Sequence, residues 1–279
     1  MAGTILVLGA TGNVGAPLVE TLVASGERVK AASRSASPVA GAEAVRFDIS
    51  ATDGFAAALD GVDRAYVLVP AGHLNVVELL APVIEAAAGR RIKVVLQTAL
   101  GVDADETIPY RQAERLLERS GTPFVILRPN WFADNFHTYW LEGVRHGVIA
   151  VPAAQAKTSF IDARDIAASA AAVLTSSRFD GQAFNLTGPA ALGYADAAAI
   201  LSETANRPIA YQAVDDAAFV GLLTGAGVPA DYARFLAVLF HPVREGWTTG
   251  VTDAVEVLTG KAPRRLETYA RDHAARFAV

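Results

Sequence analysis

Apolar and polar positions alternate along this chain with two periods. Short, mostly apolar runs read as buried strands, and stretches with apolar residues every third or fourth position read as amphipathic helices. In the first half the predicted strands are Thr4–Leu8, Arg28–Ser33, Ala44–Asp48, Arg64–Pro70, Ile92–Thr98 and Phe124–Pro129. The predicted helices between them are Ala16–Ser25, Thr52–Leu59, His73–Ala88 and Tyr110–Ser120. Apolar strands separated by helices predict a parallel sheet covered on both faces. Right-handed crossovers then make it a doubly wound, Rossmann-type α/β sheet.

The pattern changes after Pro129. Residues 130–146 are rich in aromatics, with Trp131, Phe132, Phe136, Tyr139 and Trp140. A short strand is predicted at Val148–Val151, a helix at Asp162–Thr175 and a further core strand at Ala183–Thr187. From Gly188 the pattern is mostly helical, with segments Tyr194–Asn206, Asp215–Thr224, Asp231–Phe240, Thr252–Thr259 and Leu266–Phe277 and one strand near Ile209–Val214. This predicts a Rossmann domain over 1–130 that also takes in about 158–188, and a smaller, mostly helical C-terminal lobe built from 131–157 and 189–279. Asp162 and Asp165, three apart at a predicted helix start, read as caps rather than as a catalytic pair. The alanines that follow read as close helix–sheet packing.

Composition narrows the chemistry. The 279 residues are 52% apolar, enough for a large core, and the net charge of −5 is interleaved with no basic tract. Nucleic acid is therefore not an expected partner. There is no cysteine, which excludes disulfides, thiolate catalysis and Cys-ligated metal. The five histidines are scattered without metal-ligand spacing, so no metal site is expected. With no apolar run of membrane-spanning length and a first strand starting at Thr4, a cytoplasmic protein without membrane contact is expected.

The end of the first strand carries the main chemical signal. Gly9-Ala10-Thr11-Gly12-Asn13-Val14-Gly15 places three glycines between a strand and a helix. Gly9 lets the chain turn sharply, Gly12 lets backbone approach a phosphate, and Gly15 allows close helix packing. Backbone N–H groups and the helix dipole converge there on a pyrophosphate. At the end of the second strand, where an acid would bind the ribose of NAD, the chain has Ser33-Arg34-Ser35. An arginine there grips the extra phosphate of NADP, so NADP(H) is the expected cofactor. Asp48 either bonds the adenine amino group or caps the helix that starts near Ser50. Val69, Pro70, Gln97, Thr98 and Ala99, at the carboxyl ends of later strands, should surround the nicotinamide.

Short-chain dehydrogenases carry a Tyr-x-x-x-Lys pair near this point, in which the lysine lowers the tyrosine pKa. Here the segment reads Tyr110-Arg111-Gln112-Ala113-Glu114. A glutamate in the lysine position would raise the pKa of Tyr110. Tyr110 and His137 are the candidate proton donors. Asn130, Trp131, Phe132, Phe136 and Tyr139 are the candidate substrate residues, either lining a flat apolar pocket or, for some of the rings, belonging to the core; Asn130 either bonds the ligand or shapes its turn.

At these residues the chain resembles the NmrA-like branch of the atypical short-chain dehydrogenases. The likeness is carried by the 9–15 glycine turn, Arg34, Glu114 with Leu116–Gly121, Leu127–Asn135, Ser159–Ala167 and Phe184–Pro189. It implies a NADPH-dependent reductase of quinones, triphenylmethane dyes or azo dyes, or a nucleotide-sensing regulator without turnover. A biosynthetic reductase for a specialised enone or iminium metabolite is a further alternative. Many members of that family carry a histidine where this chain has Tyr110. The expected partner is a small conjugated molecule, and a homodimer is allowed.

Overall fold

The computed structural model describes residues 3–51 and 54–278. In chain order the elements are β1 (Thr4–Leu8), α1 (Gly15–Ala24), β2 (Arg28–Ser33), β3 (Glu43–Arg46), α2 (Phe55–Ala58), β4 (Val62–Val67), α3 (Val76–Ala88), β5 (Lys93–Gln97), α4 (Pro109–Arg119) and β6 (Phe124–Pro129). There follow α5 (Leu141–Arg145), β7 (Val148–Val151), β8 (Lys157–Thr158), α6 (Ala163–Leu174), β9 (Gln182–Leu186), β10 (Leu192–Gly193), α7 (Tyr194–Ala205) and β11 (Ala210–Ala213). The chain ends in helices α8 (Asp216–Gly225), α9 (Ala230–Val238), α10 (His241–Arg244), α11 (Ala254–Thr259), α12 (Leu266–Asp272) and α13 (Ala274–Phe277). The helix expected over Thr52–Leu59 begins on residues outside the described ones; its remainder is α2.

The chain divides into two compact units. The first comprises Met1–Pro129, Ala163–Leu186 and Ala254–Lys261. Among the described residues its sheet has seven strands in the order β3-β2-β1-β4-β5-β6-β9, every neighbouring pair parallel. The order reverses direction between β1 and β4, which creates a crevice at the carboxyl edge. Strand pleating splits the apolar residues between two faces. Leu6, Leu8, Val67, Leu96 and Ile126 pack with Leu80, Ile84, Ala113 and Leu117 of α3 and α4. Alternate residues such as Ile5, Val7, Val95 and Val125, equally buried, point to the opposite face. Buried Ala163, Ala167, Ala170 and Ala171 line α6, which packs on β4, β5 and β6. Small side chains there permit the close approach that the Ala-rich run predicts.

The second unit comprises Asn130–Asp162, Thr187–Asp253 and Ala262–Val279. Two short pairings hold it: β7 with β11, parallel, and β8 with β10, antiparallel. Phe132 and Ile161 form an isolated parallel bridge. Its core is aromatic, with Phe136, Phe160, Tyr194, Phe219, Phe240 and Tyr269 buried together. The single C-terminal helix expected over Leu266–Phe277 is broken at His273 into α12 and α13.

Candidate functional site

The turn after β1 is built for close backbone approach. Gly9 has φ +66°, a left-handed conformation that side chains disfavour. Its carbonyl accepts from Gly12 N at 2.9 Å, closing the turn. A Cβ on Gly15 would lie 2.0 Å from that same carbonyl oxygen, so this position admits no side chain without moving backbone. Ala10 N donates to Ala32 O at 3.1 Å, tying the turn to β2. Thr11, Gly12 and Asn13 are exposed on its crest, and Ala10, Val14 and Gly15 are buried beneath. No side chain caps α1, and its first turn holds no acid. Ala16 N donates to Gly12 O at 3.0 Å and Pro17 has no N–H, so what is offered to an external anion is the helix dipole and the backbone of the exposed crest, which fits a pyrophosphate.

Beside this turn, Ser33 closes β2 and its Oγ accepts from Ser37 N at 3.0 Å. Ser35 and Ser37 share a hydroxyl hydrogen bond at 2.8 Å. Arg34 is exposed, and among the described residues no carboxylate pairs with it. Asp48 Oδ1 accepts from Ser50 N at 2.9 Å, so its carboxylate stabilises a turn. Further along the carboxyl edge, Val69 is buried and Pro70 exposed. Gln97 Oε1 accepts from the hydroxyl of Tyr66, whose complete burial pushes its phenol pKa upward.

Thr98 leads into a network that the sequence reading missed. Its hydroxyl donates to Glu114 Oε1 at 2.7 Å. Arg128 clamps the same carboxylate, Nε to Oε1 at 2.9 Å and Nη2 to Oε2 at 2.7 Å. Arg111 Nη1 adds a bond to Oε2 at 2.8 Å. Glu114 is 0% exposed. Burial alone would push its carboxyl pKa up; the hydrogen bonds from Arg128, Thr98 and Arg111 outweigh that and hold it below the usual carboxylate range. Two guanidiniums, of Arg128 and Arg111, thus answer the charge of the glutamate expected to raise the pKa of Tyr110. Tyr110 itself is half-buried in the first turn of α4 and packs against the apolar core of its unit. One signal in the sequence pointed to the network. Arg128 interrupts an otherwise apolar strand, and a cation there demands a buried partner.

The remaining candidates lie in the second unit. Asn130 is 3% exposed, and both hydrogens of its amide are engaged, with Ser159 Oγ at 2.7 Å and Thr248 O at 2.8 Å. Its Oδ1 accepts from Trp131 N at 2.9 Å. These bonds tie the side chain to its own turn and to the Ser159 and Thr248 segments. Trp131 is half-buried, with its ring 4.7 Å from Phe240 and 5.9 Å from Trp140. Phe136 is fully buried between Trp140 and Phe160, where it serves as core. Phe132 keeps partial exposure, and Tyr139 is 66% exposed. His137 shares a hydrogen bond between Nδ1 and the Tyr269 hydroxyl and stacks on His273 at 4.6 Å. Burial first, then the charges of His273 and Arg276, push its pKa from 6.5 down to about 4. A neutral imidazole with one nitrogen engaged is a poor acid, which argues against the expected proton-donor role. Among the described residues no cluster of His, Asp or Glu could hold a metal ion. Among the described residues no helix is long and apolar enough to cross a membrane.

A glycine turn between β1 and an uncapped helix, beside the point where strand order reverses, defines a dinucleotide-binding protein. The chain belongs to the NAD(P)H-binding family, whose model matches residues 9–177. It is 34% identical to a Bacillus subtilis protein described as the uncharacterized oxidoreductase YesF, over 97% of this chain and 95% of that one. It is 31% identical to the NAD(P)H azoreductase of Xenophilus azovorans, over 99% of each. The fold superposes on the NADPH complex of an Escherichia coli quinone oxidoreductase with a TM-score of 0.83, at 22% identity, covering 96% of this chain and 99% of that one. The chain is an oxidoreductase.

Proposed function

We propose that this protein reduces quinones or similar conjugated acceptors with NADPH by direct hydride transfer, without a Tyr-Lys dyad. The observation that carries the reading is the state of position 114. Where the dyad needs a lysine, a fully buried glutamate is neutralised by Arg128 and Arg111. Position 114 thus supplies no lysine ammonium to acidify Tyr110, so a reaction that demands a strong enzyme acid is disfavoured. A quinone does not demand one, because its reduced anion is protonated readily by water or a nearby hydroxyl. The bound nicotinamide would supply the hydride.

The chain's own work is then binding and orientation. The 9–15 turn takes the pyrophosphate. Exposed Arg34 takes the 2′-phosphate, supported by the absence of a competing acid on the Ser33–Ser37 turn and by the NADPH bound in the related quinone oxidoreductase. Trp131, Phe132 and Tyr139, aromatics of the second unit that keep exposed surface, are assigned to the acceptor. Phe136 and Asn130 support them from within. One relative is named an NAD(P)H azoreductase, and an azo group is itself a conjugated acceptor.

The test follows NADPH by its near-ultraviolet absorbance, with and without menadione and with NADH as control. Menadione-dependent loss of NADPH, faster than of NADH, is expected. Tight NADPH binding without turnover on menadione, an azo dye or an enone would overturn the reductase reading in favour of a nucleotide sensor.

A further inference from the structure

Glu114 joins segments of the first unit that are far apart in sequence. It stands on α4. It accepts from Thr98, one residue past β5, and from Arg128, within β6. Arg128 Nη1 reaches on to Asp103 Oδ2 at 2.5 Å. Backbone bonds run alongside, from Thr98 N to Leu127 O at 2.9 Å and from Leu100 N to Pro129 O at 3.0 Å. Four side-chain hydrogen bonds converge on a carboxylate with no exposed surface, which fills its acceptor sites. An apolar pair of similar size can match a buried ion pair in stability, so stability alone does not account for this one. What the charges add is direction. They fix the carboxyl ends of two adjacent strands relative to each other.

The strand order says which part of a ligand would notice. The pyrophosphate turn follows β1, and Arg34 lies on the β2 side of it. The adenosine half therefore extends toward β2, and the nicotinamide half toward β4 and β5. Thr98 and Ala99 are the first residues past β5.

We propose that Glu114 is a positioning residue for the nicotinamide half of the bound dinucleotide. It acts through the Thr98 hydroxyl, which holds the Thr98–Ala99 backbone, and through Arg128, which locks that backbone to β6. This rests on the dinucleotide-dependent reductase reading above. Glu114 itself touches neither cofactor nor acceptor.

Thr98→Val and Thr98→Ser in the full-length protein test this. Valine keeps the shape and removes the hydroxyl; serine restores it. Affinity is measured for NADPH and for adenosine 2′,5′-bisphosphate, which has the adenosine half alone. Single-turnover oxidation of NADPH by menadione is followed in parallel. Thr98→Val should bind the bisphosphate within about twofold of wild type, bind NADPH about fivefold more weakly and transfer hydride about tenfold more slowly, as a small misplacement of reactants predicts. Thr98→Ser should recover to within about twofold. A parallel fall in both affinities would mean a merely structural role and overturn the proposal. So would unchanged NADPH affinity and rate in Thr98→Val. If the wild type binds NADPH but does not turn over menadione, the reductase reading fails, and the ratio of the two affinities still decides the positioning role. Should Thr98→Val not fold, Glu114→Asp, one methylene shorter, is read by the same ratio.

Discussion

Each of the two units is stabilised from within by a different device. The first repeats one device: a buried parallel strand, a crossover helix, another strand. Its polar interior includes a charge network around Glu114, with Lys93 paired separately to Asp180. The second has only short strand pairs and is organised by rings. Trp131, Phe136, Trp140, Phe160, Tyr194 and Phe240 form a chain of ring contacts with centroids 4.7–6.5 Å apart. A ladder of backbone hydrogen bonds leaves room for a directional side-chain network at its end. In the second unit each ring is fixed by its neighbours' shapes, and the buried bonds of Asn130 to Ser159 and Thr248 stand beside that packing.

Substitutions that attack each device separate the two most sharply. Phe136→Ala should cost about 3–5 kcal/mol, the usual loss for a buried phenylalanine. Glu114→Leu should cost a similar amount, about 3–5 kcal/mol, because it leaves buried guanidiniums without their carboxylate. The difference lies in rescue. Adding Arg128→Met to Glu114→Leu removes the stranded charge and should recover most of the loss in denaturant unfolding, while NADPH turnover stays low. No equally simple partner exists for Phe136. If the double variant were no more stable than Glu114→Leu, the network would owe its stability to shape rather than to charge.

The same contrast explains what could be read in the sequence. Strand β2 falls on Arg28–Ser33 as the apolar run predicts, and α4 lies within one residue of its expected bounds. A parallel sheet imposes a period, and a period is visible in one dimension. The glycine turn was legible because φ +66° at Gly9 and the closeness of Gly15 to the Gly9 carbonyl each require a particular residue. The network was not. Glu114, Arg128 and Thr98 meet only after β5, β6 and α4 are assembled, and no local spacing joins them. In the second unit the aromatic composition was visible but its arrangement was not. Nothing in the spacing of Trp131, Phe136 and Tyr139 says that the first is half-buried, the second fully buried and the third exposed. Rings packed irregularly leave no period. The break at His273 was hidden for a related reason: no glycine or proline marks it.

Two further substitutions carry smaller effects, one in each unit. Arg34→Glu should weaken NADPH by about 10- to 100-fold, or about 1.4–2.8 kcal/mol, and leave NADH within about twofold. Equal losses for both would remove Arg34 from the phosphate site. In the second unit, His137 titrates near 4 in the fold against 6.5 ordinarily. Between these values the unfolded chain binds more protons, so stability rises with pH and is lost as pH falls from about 6.5 toward 4. His137→Gln should flatten that part of the stability profile. Because the ring is half exposed and screened by solvent, the difference should be only about 1 kcal/mol. An unchanged slope would mean that another group dominates the acid limb.

The smallest expected effect bears hardest on mechanism. On the proposed reading Tyr110 stands where a dyad would have its tyrosine; it lies in the first turn of α4, packed on the apolar core of its unit. Removing its hydroxyl should change little if the acceptor takes hydride without an enzyme acid. Tyr110→Phe should keep kcat with menadione within about twofold, and stability within about 0.5 kcal/mol, since the ring contacts are retained. The pH profile of kcat separates the cases more finely than the rate at one pH. A tyrosine acting as general acid would impose a limb that phenylalanine abolishes, with a fall of about 10²-fold or more at neutral pH. A superimposable profile leaves protonation to water or the acceptor. A lost limb would mean that Tyr110 works as an acid beside a neutralised Glu114, and the reductase would then be a dyad enzyme with its lysine replaced by the Arg128–Glu114 pair.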